Sequence, residues 1–185
     1  MDIFNSFEMF EERFGIGSRY ATIPLEQLDI LKHSSLPPFY IKYIEENGLK
    51  EFNNGFWWFL NPLELNSELS FVTHTKTCFP VIRNAFGGFI VFIEGEFYLA
   101  SIQTKNFVLL GKELGVIANI SLTDDYALRD MHFAEFFNYA FAKFGKLAAD
   151  EIYAFVPAPA IGGEFKNGNI QVVKLREYLN FLAQL

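Results

Sequence analysis

Sulfur and imidazole are scarce here: the 185 residues include one cysteine and three histidines. The lone thiol, Cys78, can form no internal disulfide, which fits a reducing compartment. His74 and Cys78 stand four positions apart, but no second Cys/His pair exists to complete a zinc site. Cys78 with His74 or His132 could make a nucleophile–base couple, yet each would need a third, orienting group that sequence does not place. Ser70, Ser101 and Ser121 lie in no nucleophile-elbow pattern. Gly87-Gly88 and Gly162-Gly163 lack the strand–loop–helix setting of phosphate loops and read as turn glycines. The sequence therefore offers no catalytic set, no metal site and no cofactor-binding pattern.

Also missing are an apolar run near the roughly 18 residues of a membrane span and a basic, signal-like start, since Asp2, Glu8, Glu11 and Glu12 open the chain. A cytoplasmic protein is expected. Positive charge is in deficit, with 15 Lys and Arg against 22 Asp and Glu and a net charge of −7. That disfavours sequence-independent nucleic-acid binding, which needs a Lys/Arg surface, and is compatible with a basic protein partner.

What is present is apolar and aromatic. Hydrophobic residues make up 51% and charged residues 20%, which excludes a disordered chain. The 23 Phe residues occupy slots that Leu or Trp would fill, so codon bias accounts for them as well as function does. The length predicts one domain over residues 1–185.

Phe4, Phe7, Phe10 and Phe14 predict a short helix ended by Gly15. Pro24 opens a second with Leu25, Leu28 and Leu31 as its stripe, and a third runs from Pro38 to Asn47 with Tyr40, Tyr43 and Ile44 inward and Gly48 as its cap. Asn53-Asn54-Gly55 signals a turn before the strand Phe56–Leu60, and Asn61-Pro62-Leu63-Glu64 reads as a helix start. Strands follow at Phe79–Arg83 and Phe89–Glu94, with Gly95-Glu96 as a type II′ turn. Phe97–Ile102 and Phe107–Leu110 complete a meander. Asp130 reads as the cap of a helix whose inward residues are Phe133, Phe136, Phe137, Ala140, Phe141 and Phe144. A strand at Glu151–Val156, stopped by Pro157, precedes a closing helix with Leu175, Tyr178, Leu179, Leu182 and Leu185 on one stripe. An antiparallel sheet with helices grouped beside it is an α+β fold, and both late helices should pack on the sheet of Val81 and Val91. Arg83, in an apolar strand, calls for an internal ion pair with Asp150 or Glu151, with ligand binding as its alternative.

Asp150-Glu151-Ile152-Tyr153, Phe155-Val156-Pro157-Ala158, Gly162-Gly163 and Val173-Lys174-Leu175 running into Leu182-Ala183-Gln184-Leu185 resemble the C-terminal signature of GAD-like bacterial proteins and the related Tdi-type immunity proteins of type VI secretion systems. Val81-Ile82-Arg83, Ala85-Phe86-Gly87 and Phe56–Pro62 are similar to other parts of that family. Leu36-Pro37, Tyr40, Tyr43-Ile44 and Asn47-Gly48 are also similar to the opening of SUKH immunity domains. The resemblance implies a non-enzymatic immunity protein that blocks a cognate toxin, and for Tdi-type relatives a nuclease, a class often basic. Glu94 and Glu96, together with Asp124, Asp125 and Asp130, are the candidate contacts, with Trp57 or Trp58 as an apolar anchor if either faces out. The alternatives are a small-ligand or enzymatic pocket beside Trp57, Trp58 and Tyr98, and an adaptor without a toxin.

Overall fold

The computed structural model describes residues 2–75 and 77–185. Seven antiparallel strands pair strictly in chain order: β1 (Ser18–Ala21), β2 (Leu49–Phe52), β3 (Trp57–Phe59), β4 (Phe79–Asn84), β5 (Gly88–Ile93), β6 (Glu96–Ser101) and β7 (Asn106–Gly111). β4 and β5 lie in the interior of the sheet and are apolar on both faces, and β6 beside them is buried at Phe97. Val81, Ile82, Phe89, Ile90, Val91 and Phe97 are all fully buried. β5 and β6 keep one register throughout, from Gly88 opposite Ser101 to Ile93 opposite Glu96.

That register corrects the turn. Its two loop residues are Glu94 and Gly95, with φ of 49° and 92°. Two positive φ values make a type I′ turn, whose twist matches the flanking strands, and Glu96 already belongs to β6.

The N-terminal part covers one side of the sheet with α1 (Glu8–Phe14), α2 (Leu25–Lys32) and α3 (Pro38–Asn47). Phe7, Phe10, Tyr40 and Phe59 form one aromatic cluster, with ring centroids 4.8 to 6.4 Å apart. The Tyr40 hydroxyl donates to the Leu60 and Val81 carbonyls, fastening α3 to the strands. Leu25, the first residue of α2, departs from its expected stripe and is exposed, while Leu28 and Leu31 are buried. No helix follows Asn61-Pro62. The Asn61 side chain instead accepts from the Leu63 N–H, and Leu65 then turns left-handed at φ 64°. The first regular helix beyond is the short α4 (Ser70–Thr73).

After β7, α5 (Leu114–Val116) runs into a π-turn at Ile117–Ser121, followed by α6 (Asp125–Asp130) and α7 (Ala134–Phe144). Gly115 is required there, since a Cβ at that position would come within 2.2 Å of the Phe4 carbonyl oxygen. Asp124, not Asp130, is the capping residue, accepting from the Ala127 N–H of α6. Asp130 is the last residue of α6, and α7 starts after Phe133 at φ 60°.

β8 (Glu151–Phe155) and β9 (Ile170–Lys174) form a separate two-stranded sheet that leads directly into α8 (Leu175–Leu182). It joins the large sheet where the Tyr153 N–H donates to the Ala85 carbonyl, at 2.9 Å. α7 stacks on this small sheet, Phe136 on Phe155 and Phe137 on Tyr153, and meets the margin of the large one at Phe56. α7 thus sits on β8 and β9 rather than on Val81 and Val91. α8 buries Leu175, Tyr178, Leu179 and Leu182, whereas Leu185 is half exposed beyond its last turn.

Candidate functional site

The acidic candidates fall into two groups. Asp124, Asp125 and Asp130 lie on or beside α6, where Asp125 pairs with Arg13 of α1 and Asp130 accepts from Arg129 at 2.8 Å. The hydrogen bond from Arg129, then that from Tyr126, holds the Asp130 carboxyl below its ordinary range. Glu94 occupies the tip of the β5–β6 turn and is exposed. Glu96 accepts from the Tyr98 hydroxyl at 2.9 Å and faces Lys112 at 3.8 Å. The groups lie toward opposite ends of β5. Gly88 opens that strand beside Asn84, whose amide meets His132 two residues past Asp130. Glu94 stands six residues further along the strand, or about 20 Å at the rise of an extended chain.

Trp57 and Trp58 are 0% and 2% exposed, so the condition for either to anchor a partner is not met. Trp57 packs on Phe56 and on the edge of His132, and Trp58 on Tyr20. Tyr98 stacks flat on Phe107, three strands away from Trp58 across the sheet, or about 14 Å. The pocket expected beside Trp57, Trp58 and Tyr98 is therefore not assembled. The exposed aromatic near the acids is Tyr126 of α6, 65% accessible, which carried no sequence signal because α6 is too short for a readable period.

A cleft of about 590 Å³ opens elsewhere, at the junction of the two sheets. Arg83 of β4 lines it and is 1% exposed. Its guanidinium lies 4.7 Å from the Trp58 ring centroid and donates to the Ala149 carbonyl at 2.9 Å and that of Asn84 at 3.4 Å. The expected ion pair is absent: among the described residues no carboxylate lies within 4.0 Å of Arg83. Glu151 stands opposite Lys174 across β8 and β9, and the Lys174 ammonium draws both Asp150 and Glu151 to itself, at 2.8 and 3.2 Å. Burial pushes the Arg83 guanidinium down to about 10, with Tyr20 and Asp150 acting in the opposite direction.

The nucleophile candidates do not meet. Cys78 is buried with its sulfur toward the Asn66 carbonyl, and burial pushes its thiol up to about 11, against the Thr73 hydroxyl. His132 faces Asn84, and His74 is exposed at the end of α4. Among the described residues, no group of three His, Cys, Asp or Glu is placed to hold a metal ion, and no helix is long and apolar enough to cross a membrane.

This is an α+β domain in which a sequential meander carries a smaller sheet and its helices at one margin. The same fold is seen in the crystal structure of Atu4351 from Agrobacterium tumefaciens. The TM-score is 0.81 and the identity 18%, over 97% of this chain and 89% of that one. The model of the GAD-like domain matches residues 5–106, more than half of the sequence, and the chain belongs to that family. The model of the type VI secretion system immunity protein Tdi1, C-terminal part, matches residues 119–185, which relates the chain to the Tdi immunity proteins. No curated protein matches it.

Proposed function

We propose that this chain is a non-enzymatic immunity protein of a type VI secretion system, which binds a cognate toxin in the cytoplasm and blocks it by occlusion. The observation that carries the reading is the Tdi1 match over residues 119–185, the segment comprising α6, α7, β8, β9 and α8. A net charge of −7 favours a basic toxin domain such as a nuclease. The proposed contact is α6, where Asp125 and Asp130 supply charge and Tyr126 the apolar anchor that neither tryptophan can provide. Glu94 and Glu96 form a second, separate acidic point.

The test is co-expression with the toxin domain encoded beside this chain's own gene. Growth should be restored and the two purified proteins should co-elute. Unrelieved toxicity with no complex formed would overturn the reading.

A further inference from the structure

We propose that the cleft at the junction of the two sheets is a binding site for a monocarboxylate with an apolar body, its carboxylate meeting the guanidinium of Arg83. The first reason is an unbalanced charge. A buried cation is costly unless an anion compensates it, and carbonyl dipoles and an indole face compensate only partly. Arginine has five N–H donors, and here two bonds go to the Ala149 and Asn84 carbonyls while Trp58 covers one face. The second reason is place, because Arg83, although 1% exposed, stands in the wall of a 590 Å³ space, so a ligand there would lie next to it.

The third is that the other cations of the cleft are already matched. Lys174 holds Asp150 and Glu151, and Arg176 holds Glu68 with Glu64 at 3.9 Å. Arg83 is left as the lining cation without a partner acid among the described residues.

The rest of the lining selects the ligand. Leu49, Leu60, Leu65 and Leu175 supply apolar walls for a hydrocarbon body. Glu177, the lining acid outside these ion pairs, opposes a dianion such as phosphate more than a monoanion. A single carboxylate satisfies both conditions and fits the guanidinium fork in a bidentate manner. It can come from a free acid or from the end of a protein chain that closes on a leucine-like residue. The proposal does not rest on the immunity reading.

The test uses the full chain labelled with ¹⁵N-arginine, following the Nε–H resonance of Arg83 during titration. The probes are hexanoate, N-acetyl-Ala-Leu, its C-terminal amide and inorganic phosphate. A saturable shift with hexanoate but not the peptide identifies a free acid, the reverse identifies a chain end, and a shift with both supports the site for either source. The amide and phosphate should leave the resonance in place. Ala21→Phe, which fills the cleft from its β1 wall, should weaken binding by about tenfold or more. An unmoved resonance with both carboxylates overturns the proposal. So does an equal response to the amide or to phosphate, or unchanged affinity in a folded Ala21→Phe protein.

Discussion

His132 shows how much one side chain here depends on remaining uncharged. It is 2% exposed, set edge-on to Trp57 at 4.9 Å, with Nδ1 3.2 Å from the Asn84 amide nitrogen. Burial pushes its pKa down to about 3 from an ordinary 6.5. A histidine depressed in the folded state binds fewer protons than in the unfolded chain. Its contribution to stability is therefore complete above the unfolded pKa and is lost as pH falls toward the folded one. Urea denaturation should show stability falling as pH drops below about 6.5, with this residue contributing part of the slope. His132→Gln should remove that part of the slope. Asn119 is similar in kind: its buried amide accepts from the Phe10 N–H and donates to the carbonyls of Ile3 and Ser6. Neither role could be read from the sequence, because each depends on partners far away along the chain. An isolated Asn or His carries no period that betrays burial.

At the scale of elements, the β5–β6 turn holds a glutamate in a conformation that costs a non-glycine residue about 1–2 kcal/mol. Glu94→Asn, which gives the Asn-Gly pair favoured in type I′ turns, should raise the melting temperature and recover about 1 kcal/mol. A lower melting temperature would mean that Glu94 makes a contact worth more than its strain. α7 gives the opposite case. Phe137 is 7% exposed and packs on Phe56, Phe141 and Tyr153, so Phe137→Ala should cost about 3–5 kcal/mol in denaturant titration. The periods that announce α3, α7, α8 and the β4–β7 meander are strong because each repeats over many residues. β1 and β2 gave no such signal. Ser18-Arg19-Tyr20-Ala21 has no alternation, and it becomes a strand by pairing with Leu49–Glu51. The Asn61-Pro62 pattern fits a helix start and an Asx turn equally well, and the left-handed Leu65 decides between them.

For the whole molecule, charge on the proposed contact surface around α6 is the quantity to vary. Asp124 should be spared in such a test, since it caps α6 and its loss would cost about 1 kcal/mol of folding stability by itself. Reversing Asp125 and Asp130 to Lys changes the surface while leaving that cap in place. Association with a basic toxin domain should then slow and lose much of its salt dependence, with dissociation altered less. Equal rates for wild type and double mutant in stopped-flow mixing would place the contact elsewhere. The acids were visible in the sequence as charges, but their division between the two ends of β5 was not. Nor was the cleft, whose lining comes from both family-matched segments: Tyr20 and Arg83 from residues 5–106, Asp150 and Lys174 from residues 119–185.

The strictly sequential strand order has a consequence for how the protein is made. Each strand from β2 to β7 pairs with the one synthesised just before it, so the large sheet can zip up as the chain leaves the ribosome, with short closures from β4 to β7 and longer ones between β1 and β2 and between β3 and β4. Its two ends must wait. The N-terminal segment is tied down by Asn119, and β8 has its seat on Ala85 only once more than 150 residues have emerged. Arg83 is therefore synthesised well before the Ala149 carbonyl that accepts from it. Until then Trp58 of β3 covers one face of this arginine and the Ala149 carbonyl is still missing. The cleft around it forms only when the last fifth of the chain folds back over the sheet.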